Sequence, residues 1–151
     1  MALVYLGLGT NLGDKERNLN EAIVALSREV GEVLCQSAFY MSEPWGFTSD
    51  NNFLNAVVLV QTNESPFDVL SKTQEVERSL GRTAKTINSY SDRLIDIDIL
   101  LYDNLIIDQP TLKIPHPLIA ERDFVIIPLS EIAPDLVHPV FGRKIVELLN
   151  R

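Results

Sequence analysis

The sharpest chemistry in the chain lies in Arg93-Leu94-Ile95-Asp96-Ile97-Asp98-Ile99-Leu100-Leu101. In a strand, residues two apart project from one face. Asp96 and Asp98 then point together, while Ile95, Ile97 and Ile99 face the core. Neighbouring carboxylates repel, and a cation between them removes that cost. Hard oxygen ligands in this arrangement suit magnesium, which takes one or two carboxylates together with water and substrate phosphates. Alone, the same spacing also fits a solvated sheet face. The basic residues from Arg78 to Arg93, with Lys113 and Arg122, weigh against that reading. Acids that hold a metal beside bases that hold phosphate recur in phosphoryl-transfer sites.

Three further groups deserve a role or a plain alternative. His116 sits between Pro115 and Pro117 on a stiff, extended segment, where an imidazole suits a phosphate or ribose. It fits an ordinary turn residue equally well, and His138 fits that plainer role better. Gln74 and Glu77, three apart on a helix, share a face beside its apolar stripe. Between Ser42 and Asn55 lie Trp45, Phe47 and Phe53, next to an amide at Asn55. Stacking surfaces beside an amide suit a flat heteroaromatic ligand; Phe47 reads as core. Gly7-Leu8-Gly9-Thr10-Asn11-Leu12-Gly13 lacks the lysine of a phosphate-binding loop and reads as a tight turn. No zinc spacing is present. Cys35 reads as a small residue packed on a sheet.

The elements that must position these groups follow from periodicity. Ala2 to Gly9 alternates as a strand, without the basic leader of a signal peptide. Leu19, Ala22, Ile23, Leu26 and Val30 place an amphipathic helix at about 15 to 30, stopped by Gly31. Val33 to Tyr40 and Phe53 to Gln61 read as strands, with a loop from Met41 to Asn51. Ser65-Pro66 opens a second helix that ends at Gly81. Leu94 to Tyr102 is a strand, and Asp103-Asn104 turns Leu105-Ile106-Ile107 back onto it. Beyond that, prolines break the chain into short elements, with a terminal helix from Lys144 to Leu149. The order strand-helix-strand-strand-helix-strand is the ferredoxin-like one: an α+β fold, with an antiparallel sheet, helices on one face and C-terminal additions.

The 151 residues suit one domain, 1–151. A net charge of −8, from 13 basic and 21 acidic residues, argues against nucleic-acid binding. No apolar run reaches the length of a membrane span. A lone cysteine fits a reducing, cytoplasmic setting.

Taken together, these residues resemble 6-hydroxymethyl-7,8-dihydropterin pyrophosphokinase, from the first strand to about Pro134. The resemblance is carried by Gly9-Thr10-Asn11-Leu12, Phe39-Tyr40, Ser42-Glu43-Pro44-Trp45-Gly46 and Phe53-Leu54-Asn55-Ala56. Gln74 with Glu77, Gly81-Arg82 and Arg93 before Asp96-Ile97-Asp98-Ile99-Leu100 continue it. Pro115-His116-Pro117 and Arg122-Asp123-Phe124 leading to Pro128-Leu129 complete it. The resemblance implies transfer of pyrophosphate from ATP to the pterin's hydroxymethyl group, with release of AMP, in folate biosynthesis. It implies two magnesium ions, held by Asp96 and Asp98, and ATP as co-substrate. It implies that Gln74, Glu77, Lys85, Arg93, Ile99, Lys113, His116 and Arg122 line the ATP site, with Arg82, Lys85 and Arg93 taking part in catalysis. Phe53 and Phe124 would sandwich the pterin, with Asn55, Ser42, Pro44 and Trp45 reading its edge. Ala84 and Tyr90 depart from residues common in the family, within a segment, Arg82 to Asp92, expected to act as a lid. The partners expected are the two small substrates, with a monomeric protein and neither nucleic acid nor membrane. A non-catalytic, ferredoxin-like nucleotide-binding regulatory module is the alternative.

Overall fold

The computed structural model describes residues 1–44, 51–81 and 94–150. β1 (Ala2–Thr10) leads through the turn at Gly13 into α1 (Lys15–Glu29), which Asp14 caps by accepting the Arg17 N–H. β2 (Glu32–Gln36), β3 (Tyr40–Ser42) and β4 (Phe53–Thr62) follow. α2 (Pro66–Ser79) begins at Ser65, whose hydroxyl accepts the Asp68 N–H, with proline in the first turn where no N–H is needed. β5 (Asp96–Tyr102), the short ribbon of β6 (Ile107–Gln109) and β7 (Leu112–Ile114), and α3 (Asp123–Ile132) complete the order.

The main sheet is antiparallel, in the order β2-β4-β1-β5, with β3 extending along β4. This is the expected ferredoxin-like arrangement. One face carries Val4, Leu6, Leu8, Ala56, Val58, Ile97 and Ile99 against Leu19, Leu26, Val69 and Val76 of α1 and α2. Each fully buried aliphatic side chain there contributes about 1.5–3 kcal/mol. The other face carries Tyr5, Val57 and Leu100 against Ile126 and Leu129 of α3 and Ile145 of the C-terminal turn.

Five local expectations are corrected. The strand expected from Val33 to Tyr40 is two strands. At the break, the Ser37 hydroxyl takes the Val57 N–H at 2.9 Å, and the Ala38 N–H leaves the sheet for the Glu131 carboxylate at 2.9 Å. Ile107 does not pair back onto β5: the ribbon pairs β6 with β7, while the His116 N–H takes the Leu100 carbonyl on β5 at 2.9 Å. The proline-broken C-terminal region contains a helix, α3: Pro128 removes one helical hydrogen bond in its second turn, and the joint burial of Val125, Ile126 and Leu129 outweighs that loss. The terminal helix is a 3₁₀ segment, Ile145–Asn150. Cys35, expected to pack, is exposed on the edge strand β2. Among the described residues, no helix is long and apolar enough to cross a membrane.

Candidate active site

Register assembles the site. Asp96 lies opposite Gly9, and Asp98 opposite Gly7, across β5 and β1. Gly9 in turn faces Asn55 on β4, and Asn55 faces Tyr40 on β3. Directly opposed residues share a face. Asp96, Asp98, Gly9, Asn55 and Phe53 therefore lie on the face that α3 covers, at the end away from Tyr5 and Leu59. The two aspartates alternate with buried Ile97 and Ile99, as expected, and are themselves half-buried.

Asn55 is buried, and both of its amide hydrogens are used by the protein. Nδ2 donates to the Tyr40 carbonyl at 2.9 Å and to the Ser42 hydroxyl at 2.8 Å. That fixes the amide so that Oδ1 remains an acceptor over β1. A methyl group added at Gly9 would stand 3.1 Å from Oδ1 and 3.6 Å from Phe53 Cδ1. Gly9 thus keeps the floor beside the amide low. Gly7 and Gly9 belong to the strand, as the alternation from Ala2 to Gly9 predicts, and the turn comes at Gly13, where φ is +70°.

The segment after β7 brings the basic groups. Arg122 is well buried, and its Nη1 lies 3.8 Å from Asp98 Oδ2. Its guanidinium carbon lies 5.6 Å from the centre of the half-buried Phe124 ring, a cation–π distance. His116 is tied to β5 through its N–H, and its Nδ1 accepts the Leu118 N–H at 3.1 Å. A neutral ring so held carries its proton on Nε2. Burial, and secondarily the Arg122 charge, push its pKa down to about 4, against a smaller upward pull from Asp96. The ring is therefore a neutral hydrogen-bond donor near pH 7.

Not every expected residue joins this group. Gln74 is exposed on α2, while Glu77 is buried and turns toward β5. The Ile99 side chain packs in the helix-side core, leaving only its backbone for a ligand. Lys113 pairs with Asp108 across the ribbon. Ser42 ends β3, and its hydroxyl accepts from the Asn55 amide; Pro44 follows β3. Trp45, Phe47, Arg82, Ala84, Lys85, Tyr90, Arg93 and the expected lid lie outside the described residues. His138 is buried in a turn, where Nδ1 accepts the N–H groups of Val140 and Phe141 and the ring stacks on Phe141 at 4.2 Å. This is the structural role expected of it. Thr10 and Asn11, read only as part of a turn, are buried; Thr10 Oγ1 accepts from Asn18, and the Asn11 amide donates to the Asn51 carbonyl. Their polarity at the end of an apolar strand was the available signal.

Among the described residues no cluster of three metal-ligating side chains occurs. Two half-buried carboxylates on one strand face, beside an arginine and a neutral imidazole donor, fit a magnesium ion completed by phosphate and water.

Comparison with known proteins identifies the family. Residues 5–134 match the family model of 7,8-dihydro-6-hydroxymethylpterin-pyrophosphokinase. A Porphyromonas gingivalis protein named 2-amino-4-hydroxy-6-hydroxymethyldihydropteridine pyrophosphokinase is 50% identical over 141 residues, covering 92% of this chain and 95% of its own length. An Aquifex aeolicus protein of the same name is 42% identical, covering 97% of this chain and 90% of its own length. A crystal structure of Plasmodium falciparum HPPK-DHPS with pteroate shares the fold, with a TM-score of 0.79 at 15% identity over 99% of this chain. This chain spans 44% of that solved chain.

Proposed function

The chain belongs to the 7,8-dihydro-6-hydroxymethylpterin-pyrophosphokinase family, and from that premise we propose how its residues divide the work of moving pyrophosphate from ATP to 6-hydroxymethyl-7,8-dihydropterin. The hydroxymethyl oxygen attacks the β-phosphorus and loses its proton. The bond from the β-phosphorus to the bridging oxygen breaks, and AMP leaves with that oxygen.

The pterin lies over Gly9, between Phe53 and Phe124. The fixed Asn55 Oδ1 accepts an N–H from its edge, and Ser42, Pro44 and Trp45 complete the frame. Asp96 and Asp98 would hold two magnesium ions, which would supply charge neutralisation to the triphosphate. His116 donates its Nε2–H to the nucleotide without adding charge. Arg122 lies between the two substrates. Arg82, Lys85 and Arg93 stabilise the charge that builds on the bridging oxygen. Gln74, Lys113 and the Ile99 backbone complete the nucleotide site. The protein works in the cytoplasm as a monomer with one domain.

One observation supports this reading more than any other. Arg122 lies within 3.8 Å of a carboxylate of the proposed metal pair and 5.6 Å from the centre of the ring proposed to stack on the pterin. It links a phosphate region to a ring-binding region. The test is a mixture of protein, ATP, magnesium and the pterin, resolved by chromatography. AMP and the pyrophosphorylated pterin should appear in equal amounts. ADP in place of AMP, or no nucleotide product, would overturn the proposal.

A further inference from the structure

Glu77 stands apart from the other acidic residues of α2. Its side chain is buried at 5% exposure, and Oε2 accepts the backbone N–H of Ile97 at 2.8 Å. Ile97 is the residue between Asp96 and Asp98. Its side chain is buried on the opposite face of the sheet, against α1 and α2. Among the described residues β5 is the last strand of the main sheet, and no other described strand of that sheet takes the N–H groups of its outer edge. One amide on that edge is therefore met by a carboxylate from a helix.

We propose that Glu77 is a positioning residue: its carboxylate clamps the Ile97 amide, and the clamp sets the distance and direction of the Asp96 and Asp98 carboxylates for a divalent cation. The inference rests on the reading of those aspartates as the metal pair. The family resemblance implies that Glu77 lines the nucleotide site; the geometry gives it a partner in the strand that carries the proposed metal pair.

The physical reasons are three. A side chain on an edge strand is aimed by its backbone, and edge backbone without a partner is free to twist or shift. A hydrogen bond from an N–H to a carboxylate is stronger and shorter than one to a neutral acceptor. Burying a carboxylate is costly unless it finds a hydrogen-bond donor, and the Ile97 N–H is that donor. Groups that orient metal ligands from behind have a matching signature: replacing them costs about 10- to 100-fold in metal affinity or activity.

The experiment compares Glu77→Gln, Glu77→Leu and Asp98→Ala. Glutamine keeps an acceptor of nearly the same reach, and leucine removes it. Three readouts are taken: exchange of the Ile97 amide in the metal-free protein, Mn2+ binding by electron paramagnetic resonance, and the KM for ATP. Glu77→Leu should release the Ile97 amide to exchange while leaving that of Leu26 in α1 protected, and should weaken Mn2+ binding about tenfold or more. Glu77→Gln should bind Mn2+ within about threefold of the parent. A Glu77→Leu protein with parental Mn2+ affinity, or a loss confined to the KM for ATP, would overturn the proposal. If Glu77→Leu does not fold, a Glu77→Gln protein as impaired in Mn2+ binding as Asp98→Ala would overturn it. Asp98→Ala keeping its Mn2+ affinity would instead remove the metal assignment on which the proposal rests.

Discussion

One sheet face does two jobs at its two ends. Toward one end, Tyr5, Val57 and Leu100 pack against Ile126 and Leu129 of α3. Toward the other, the same strands present Gly9, Asn55, Phe53, Asp96 and Asp98. Strands and pleat are continuous between the ends; what changes is the side chains. Large apolar groups at the packed end exclude water and hold the helix. At the other end, glycine lowers the floor, an amide is locked in orientation, and two acids stand together. The comparison teaches that the proposed site occupies the half of the face where the hydrophobic pattern is withheld, and that the packed half holds α3, and hence Arg122 and Phe124, at its border.

The largest effect separating the ends should come from Asp98→Ala. If the open end is chemistry and not packing, AMP formation should fall by about 10³-fold, the loss of several kcal/mol of charge stabilisation. The thermal midpoint should hardly move, since Asp98 is partly exposed. The pair of measurements is turnover and calorimetry; near-parental turnover would place the metal elsewhere.

Leu129→Ala makes the converse change at the packed end. Leu129 is fully buried, and truncation should cost about 2–5 kcal/mol of stability. Urea denaturation gives that figure. Turnover per folded molecule should drop far less than in Asp98→Ala. A large loss of turnover in fully folded protein would mean that the packed end tunes the site directly.

Phe124→Ala probes the border between the ends. Loss of one stacking face should raise the KM for the pterin about 10- to 100-fold, on the scale of aromatic stacking on a base, while the KM for ATP changes little. Equal losses for both substrates would count against the sandwich.

The two histidines offer a pH comparison. Both accept backbone N–H bonds at Nδ1, and burial lowers both pKa values, His116 to about 4. An unfolded histidine titrates near 6.5. For His116, the unfolded chain binds more protons between those values, so its contribution to stability is full above pH 6.5 and declines as pH falls toward 4, and His138 acts in the same direction. Urea denaturation across that window should show a shallower decline in His116→Gln and in His138→Gln than in the parent. Parallel slopes would mean that neither ring is held neutral by the fold.

Much of this arrangement was legible in the residues. Alternation and helical spacing identify β1, α1, β4, α2 and β5, because one-sided burial imposes periods of two and 3.6. Asp96 and Asp98 interrupting an apolar strand mark the proposed site. Long-range hydrogen bonds have no period and stay hidden. Nothing local announces that Ser37 breaks a strand by taking the Val57 N–H, that the His116 N–H occupies an edge where a hairpin was expected, or that Glu77 turns inward while Gln74 faces out. Pro128 misleads for a different reason: proline disfavours a helix interior, yet early in α3 the burial of Val125, Ile126 and Leu129 outweighs it.

The smallest expected effect is the finest test of the two-ended face, because it asks whether the low floor matters. Gly7 and Gly9 both sit in β1 on that face, and both approach side chains closely. At Gly7 a methyl group would meet Leu100 at 3.4 Å, ordinary contact with the end of a side chain. At Gly9 it would stand 3.1 Å from Asn55 Oδ1, closer than normal packing. That amide is held by Tyr40 and Ser42 at 2.9 and 2.8 Å, so it can yield only by weakening those bonds. Gly9→Ala should therefore tilt the amide and intrude on the space above it, raising the KM for the pterin a few-fold, of the order of one weakened hydrogen bond, with the KM for ATP unchanged. Gly7→Ala should leave both constants within about twofold, as expected for a contact that a rotating leucine accommodates. Steady-state kinetics of the two variants decide the matter. If Gly7→Ala were the more damaging to pterin binding, the floor of the site would extend toward the packed end, and the division of the face would lie nearer Leu100 than Gly9.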